Sequence, residues 1–424
     1  MQPRLQQWLD VANPKRLLVT PGLPRHVWLL QAGVALNFLG NGLVAPYLII
    51  YLHLDRGIPL PLAALAVGSG GILATVSGLV AGPLIDRFGP RACVSLAMAA
   101  NAVAYAAYTQ VHAPWQAFAV GLAVGIGTGA YGPSVQALLT GIVRPDQRGA
   151  ALSQQRMSAI LGLSLGGLAG GLIVATGSPS SYAAILLLDS ATFIGFAALV
   201  RLLPNPETAA IQTSGRYRVA LGDRNLRLLA AINLVMVGAG IAPVLLLLPA
   251  FARTVANVPG AAIGLIYGVN TLVILVTQLR ITQAVSRLPP RTSLALGAIA
   301  WASAWSLIAA TGWLLQGWPA VATLAVAMTL YAIGECVYTG VVTPTAAAIA
   351  PENMRGRYLA VMGFTWQAGF MLGPPAGAAL MGALPLAFPI TAAALCATLA
   401  VTLRRVARGL DQSLPLSGRA PFAR

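Results

Sequence analysis

Long apolar runs alternate with short polar breaks along nearly the whole chain. The runs lie near 26–53, 60–85, 92–111, 115–142, 152–176, 181–203, 226–252, 260–281, 292–314, 319–349, 358–383 and 386–403. Each can supply the roughly 20 apolar residues that one helical crossing of a bilayer core takes. The pattern therefore predicts an all-α polytopic membrane protein with twelve transmembrane helices. Continuous rather than alternating runs exclude a transmembrane β-barrel. Several runs exceed the minimum, so tilt or extension beyond the bilayer is expected. Residues 204–225 form the longest internal polar stretch and divide six runs from six. The organisation read from this is a six-helix bundle over 1–203, a cytoplasmic linker over 204–225, a second bundle over 226–408 and a cytoplasmic tail over 409–424.

Composition strengthens this picture. The 424 residues are 57% hydrophobic and 8% charged, where an average soluble domain carries about a quarter charged residues. The net charge of +16 would suggest nucleic acid if it formed a patch on a soluble domain. Here the basic residues stand in short loops, which is the pattern of orientation signals. With the N-terminus inside, 24 of the 26 basic residues fall on the inner side, and only Arg56 and Arg253 fall outside. Both termini are therefore expected in the cytoplasm. Arginine is used almost to the exclusion of lysine, and the helices are rich in Ala and Gly, which suggests a high-GC bacterial genome; the expected location is the bacterial cytoplasmic (inner) membrane. Cys93, Cys336 and Cys396 are scattered without metal or redox spacing and read as small buried hydrophobes. The segment before Arg25 is polar and broken by proline, without the pattern of a cleavable signal peptide.

The two halves repeat. Asp86-Arg87-Phe88-Gly89-Pro90-Arg91 follows the second run, and Ser286-Arg287-Leu288-Pro289-Pro290-Arg291 follows the eighth. Arg148-Gly149 precedes the fifth run as Arg355-Gly356 precedes the eleventh. Inside those runs Gly162, Gly166 and Gly170 correspond to Gly369, Gly373 and Gly377. Parallel six-helix repeats about an axis along the membrane normal are a transporter architecture with a central cavity.

Gly82-Pro83-Leu84-Ile85-Asp86-Arg87-Phe88-Gly89-Pro90-Arg91 resembles the signature after helix 2 of the major facilitator superfamily, G-x-L-x-D-R-x-G-x-R, at every fixed position. With the twelve runs and the duplication, the resemblance covers the whole chain. It implies a cytoplasmic gate built from Gly82, Asp86, Arg87, Gly89 and Arg91, with Arg148 and Arg355 at the equivalent inner ends. Glycine permits the tight turn and close helix approach. Asp86 can pair with an arginine or a helix N-terminus across the interface. Ser286 replaces the carboxylate in the second copy.

Gly162, Gly166, Gly167, Gly170 and Gly171 in the fifth run resemble the antiporter motif of the superfamily's drug:proton exporters, G-x-x-x-G-P-x-x-G-G. Gly167 stands where that motif has proline. Gly373-Pro374 in the eleventh run keeps the proline. Many proton-driven members also carry an arginine inside helix 4, and this chain has none there.

Of ten carboxylates, only Asp189 and Glu335 lie deep in apolar runs. Intramembrane ionisable groups are costly and are functional candidates by default. The superfamily lines its cavity with helices 1, 4, 7 and 10, which ranks Glu335 first for proton coupling and substrate charge. Asn37, Asn41, Tyr131, Gln136, Asn233, Tyr331, Tyr338, Trp366 and Gln367 complete the candidate cavity. Aromatic walls with one or two acids suit lipophilic cations. Trp301 and Trp305 fall in a helix expected at the periphery and are left outside this set.

The expected function is secondary transport by alternating access, as proton-coupled efflux of lipophilic or cationic small molecules. A symporter or facilitator for sugars, amino acids or other metabolites is the alternative. Catalytic or metal-ligating sets and phosphate-binding glycine loops are missing from the sequence. No enzyme activity and no cofactor are therefore expected, and the proton gradient supplies the energy. The expected partners are a small-molecule substrate, protons and lipid, with no nucleic acid and the protein acting as a monomer. A channel is disfavoured by the twofold repeat and the lack of a charged ring.

Overall fold

The computed structural model describes residues 23–144, 147–176, 178, 180–204, 221–351 and 354–406. Its regular elements are helical, and they follow the apolar runs in order. We label them α1 (Arg25–Val44, continued by Leu48–Ile50 and a π-helical turn Tyr51–Asp55), α2 (Leu60–Phe88), α3 (Pro90–Tyr108), α4 (Pro114–Ile142), α5 (Arg148–Ala175) and α6 (Ser181–Arg201). The second series is α7 (Arg224–Val235, continued by a π-helical segment Met236–Ile241, then Ala242–Leu246 and Leu248–Thr254), α8 (Gly260–Val285), α9 (Pro290–Leu314), α10 (Trp318–Ile349), α11 (Arg355–Ala383) and α12 (Ala387–Val406). Among the described residues, nine helices are long and apolar enough to cross a bilayer. The chain is a multi-pass membrane protein. Of the remaining helices, α8 offers a shorter apolar stretch, Ala262–Gln278. Most of the 204–225 linker and the whole 409–424 tail lie outside the described residues.

Proline and glycine set the helix boundaries. Pro90, Pro114 and Pro290 open α3, α4 and α9, where the fixed φ of proline suits the first turn and its missing N–H costs nothing. Gly89, at φ +81°, makes the one-residue corner between α2 and α3. Asp223 caps α7. One carboxylate oxygen accepts from the Asn225 amide at 2.8 Å and the other from the Tyr358 hydroxyl of α11 at 2.6 Å.

The helices pack in two groups. In the first, α1 lies on α5 and α6, α2 on α4, and α3 on α4 and α6. In the second, α10 lies on α8 and α9, α9 on α12, and the π-helical part of α7 on α11. The main bridges between groups are α2 on α11 and α5 on α8. Backbone approaches within each group are too close for side chains. A Cβ on Gly166 would strike the Leu39 carbonyl of α1, and one on Gly373 would strike the Gly238 carbonyl of α7.

The duplication is visible at atomic detail where α1 and α7 end. His53 Nδ1 holds the Ile58 carbonyl at 2.9 Å, and Arg253 donates to the Val258 carbonyl at 2.9 Å. Gly57 and Asn257, one residue before those carbonyls, both take positive φ, +68° and +49°. Each pair is 200 positions apart, the offset of the Asp86 and Ser286 segments.

The two groups touch at one end and part at the other. At the arginine-poor end, Gly68 and Gly71 of α2 lie against the backbone of Gln367–Met371, and Gly264 of α8 lies against Gly167 and Gly171. Toward the arginine-rich end, Gly82 of α2, Gly132 of α4 and Gly363 of α11 face open space. A cleft therefore opens between the groups at the end that carries Asp86 and Arg87.

Candidate functional site

Glu335 sits midway along α10 on the side that faces the cleft, partly exposed to it. Two groups attend its carboxylate. Asn270 of α8 stands near it, and Arg156 of α5 bears on it electrostatically from the other group of helices. Arg156 also acts on the neighbouring Cys336. The Asn270 side-chain oxygen is buried without a hydrogen-bond partner. Arg156 lies about 12 Å along α5 from its first residue, at 1.5 Å per residue, and its side chain is exposed. The Arg156 guanidinium thus acts on the Glu335 carboxylate from the other group of helices, at longer range than an ion pair.

Below Glu335 a polar ladder continues toward the arginine-rich end. Thr339 Oγ1 donates to the Glu335 carbonyl at 2.9 Å. Gln278 Nε2 donates to Thr282 Oγ1 at 3.0 Å and to Thr339 Oγ1 at 3.3 Å.

An aromatic wall stands beside the carboxylate. Trp301 of α9 stacks on Tyr331 with ring centroids 5.5 Å apart and planes 14° apart. Its other neighbour is Tyr338, at 5.7 Å. Tyr338 continues to Trp366 at 6.3 Å, and Trp366 to Phe370 at 5.5 Å. The Tyr338 hydroxyl donates to Asn233 Oδ1 at 2.5 Å. Asn233 Nδ2 donates to Thr365 Oγ1 at 2.8 Å and to the Met362 carbonyl at 3.0 Å. Four of the candidate cavity residues, Asn233, Tyr331, Tyr338 and Trp366, therefore form one connected cluster. Gln367 lies at the α2–α11 crossing, its carbonyl 3.2 Å from where a Cβ on Gly71 would stand.

The other candidates lie in the first group. Asn37 and Tyr131 face each other between α1 and α4. Asn41 is tied to its own helix by a 2.9 Å bond to the Asn37 carbonyl. Gln136 is exposed on α4. Asp189 is elsewhere: it is 0% exposed, packed against Gly40 of α1, and bonded by Thr192 Oγ1 at 3.2 Å. Its second oxygen has no hydrogen-bond partner. The structure separates it from Glu335 by placing it inside the α1–α3–α6 packing.

The signature segment lies at the open end. Asp86 and Arg87 are exposed, and Arg87 rests over the Phe88 ring at 5.2 Å. Arg91 donates to the Leu203 carbonyl at 2.9 Å and ties α3 to the end of α6. Arg148 and Arg355 open α5 and α11. The glycine stripes serve two interfaces. Gly162, Gly166 and Gly170 pack on α1, while Gly167 and Gly171 face Gly264 of α8 across the seam. Gly373 packs on α7, and Pro374 beside it is buried.

The profile of the Major Facilitator Superfamily matches residues 31–307 and 247–421. The chain belongs to the Major Facilitator Superfamily. It is 26% identical over 231 residues to multidrug resistance protein MdtH of Shigella boydii, covering 53% of this chain and 55% of that protein. To MdtH of Escherichia coli O1:K1 it is 27% identical over 235 residues, with the same coverage. The chain thus spans about half the length of the curated relatives it matches. Solved transporters share the fold. The nucleoside transporter NupG superposes with TM-score 0.74 at 14% identity, covering 92% of this chain and 100% of that one. The peptide transporter POT bound to sulfate gives 0.74 at 16% identity, covering 96% and 99%. A D-xylose-proton symporter gives 0.72 at 16% identity, covering 89% and 96%.

Sequence reasoning missed three members of the site. Arg156 is one of the 24 basic residues on the inner side, yet it falls within the 152–176 run, where the rule that singles out Glu335 applies equally. Asn270 is the sole amide between residues 258 and 277. Trp301 falls in a helix expected at the periphery, yet its indole is 0% exposed and turns inward onto the α10 tyrosines. Gly240 and Gly334 make the room, since a Cβ on either would strike the Trp301 ring.

Proposed function

We propose that this transporter is a proton-coupled exporter of lipophilic or cationic small molecules. The observation that carries the reading is Glu335: an acid at mid-depth of the cleft, beside an aromatic wall, with Arg156 opposite it on the other group of helices. An ionised Glu335 attracts a cation, which the partly exposed ring of Trp366, backed by the buried Tyr338 and Tyr331, reinforces. Protonation removes that attraction and releases the cation, so proton and substrate compete for one carboxylate. This competition is the minimal chemistry of antiport. The MdtH relatives, named for multidrug resistance, support export.

The mechanism is alternating access. The 1–203 bundle rocks against the 226–408 bundle around the Glu335 level, tethered by 204–225. All twelve helices cross the inner membrane of a bacterium, both termini are cytoplasmic, and the protein works as a monomer driven by the proton gradient. The excess of arginine at one end assigns that end to the cytoplasm, so the open cleft is the inward-facing state. In the outward-facing state Asp86, Arg87 and Arg91 close the inner side. Glycine-lined seams at Gly167, Gly171 and Gly264 allow the bundles to pivot.

The test uses purified protein in liposomes with a pH-sensitive dye inside, an imposed proton gradient and an ethidium-type cation. The expected result is proton movement opposite to the cation, lost in Glu335→Gln. Movement of both in the same direction makes the protein a symporter. Unchanged exchange in Glu335→Gln removes the acid from the mechanism.

A further inference from the structure

A groove of about 720 Å³ runs along the outer face of the second group of helices, between α9 and α12 with α10 as its floor. It lies on the far side of α9 from the Trp301 indole. Small side chains open it: Ala302, Ser303 and Ser306 of α9 face Ala397 and Ala400 of α12. Leu330 closes the floor. From Ile299 to Ala310 its α9 wall spans about 16 Å at 1.5 Å per residue, enough for a good part of one leaflet.

Among the described residues, one charged residue lines this groove, Arg404, in the last turn of α12. Its side chain is exposed. The next residue, Arg405, belongs to the same helix end but does not line the groove. Arg404 stands at the arginine-rich end, where the hydrocarbon gives way to the headgroups of the cytoplasmic leaflet under the orientation proposed above. A long apolar trough that ends in a guanidinium at headgroup depth is complementary to one kind of molecule. That molecule has an acyl chain of leaflet length and a phosphate that carries net negative charge. Guanidinium suits a phosphate better than ammonium does, because its planar fork can donate two parallel hydrogen bonds. Basic sites between membrane helices on the cytoplasmic side hold anionic headgroups by this logic.

We propose that the α9–α12 groove is a binding site for an anionic glycerophospholipid of the cytoplasmic leaflet, with an acyl chain along Ser303, Ser306 and Leu307 and the phosphate on Arg404. The lipid covers the outer side of the helix whose inner side presents Trp301 to the cavity. Occupancy therefore braces α9 where it supports the aromatic wall.

Titration of delipidated full-length protein with phosphatidylglycerol, and separately with phosphatidylcholine, tests the site by native mass spectrometry. The wild type is expected to retain phosphatidylglycerol several-fold over phosphatidylcholine. Arg404→Ala should abolish the preference, and Arg405→Ala, the same change of charge one residue away, should preserve it. Ser306→Leu, which fills the trough and leaves the charge intact, should weaken retention of both lipids. Each variant's melting temperature in detergent confirms that it is folded. Equal retention by wild type and Arg404→Ala overturns the proposal, as does equal loss in the Arg404 and Arg405 variants. Disulfide-linked dimers of Ser303→Cys in liposomes would also overturn it, because a second copy would then occupy the groove.

Discussion

The Tyr338 hydroxyl donates to Asn233 Oδ1 at 2.5 Å, joining α10 to α7 beside the aromatic wall. Both residues are buried, and the Asn233 amide nitrogen is already committed to Thr365 and Met362. Tyr338→Phe keeps the ring in the wall and leaves Asn233 Oδ1 buried without a donor. Leaving such an acceptor unpaired costs about 1–3 kcal/mol. The expected outcome is a lowered melting temperature in detergent with cation binding retained. Unchanged stability would mean that water replaces the hydroxyl.

Arg156 bears on Glu335 electrostatically from the opposite group of helices. If that attraction helps to bring the inner halves together when Glu335 is ionised, removing the guanidinium should weaken coupling more than substrate binding. Arg156→Ala should lower proton-driven transport at least several-fold while dye binding persists. Arg156→Lys should restore part of it, since charge remains and the planar fork is lost. Arg201→Ala, at the end of α6, serves as the control for loss of one positive charge. Equal effects of the Arg156 and Arg201 variants would reduce Arg156 to an orientation signal.

Asp55, at the end of α1, and Arg253, at the end of α7, line one cavity of about 480 Å³ across the arginine-poor end of the seam. Tyr182 lies within electrostatic reach of both, and Asp55 keeps a loose pair with Arg56 at 3.7 Å. The cavity bridges the two groups only while this end is shut. Reversing one charge, in Asp55→Arg, should favour separation of the groups there. The double exchange Asp55→Arg with Arg253→Asp should restore closure. Cross-linking by a bifunctional maleimide between cysteines placed at Ser178 and Pro259, which line the same cavity, reads the state directly. It should fall in the single variant and recover in the double one. Equal cross-linking in all three would show that the charges do not act on the seam.

Much of the architecture was legible because a bilayer imposes one-dimensional rules. Among the described residues the helices follow the apolar runs in order, nine of them long and apolar enough to cross a bilayer, and the 200-residue offset of the Asp86 and Ser286 segments recurs in the geometry at His53 and Arg253. The cavity was less legible because side-chain direction is not written in a continuous apolar run. In such helices any face can be buried, so a 3.6-residue period carries little information about what faces inward. Trp301 illustrates this. Its helix was expected at the periphery, and the indole nevertheless points inward through space left by Gly240 and Gly334. Arg156 illustrates the second limit. Near the end of a run, the same arginine can anchor the loop or enter the cleft, and only the position of α10 across from it decides.

Trp301 supports the cavity wall through two separable contacts, and two substitutions can divide them. The indole stacks on Tyr331, and Nε1–H donates to the Tyr331 carbonyl at 3.0 Å. Trp301→Phe keeps a ring against Tyr331 and deletes the donor, a loss of about 1 kcal/mol for a typical hydrogen bond. Trp301→Ala empties a fully buried site, for which about 3–5 kcal/mol is usual. If the indole merely fills space, both variants should lower the melting temperature by those proportions and leave the apparent affinity for an aromatic cation alike. If it holds Tyr331 and Tyr338, and through Tyr338 the Trp366 ring that the cation meets, Trp301→Ala should also raise the dye's dissociation constant several-fold, with Trp301→Phe near wild type. Fluorescence titration of the dye, alongside thermal unfolding of the same preparations, separates the two. A dissociation constant that tracks stability across both variants would confine Trp301 to packing.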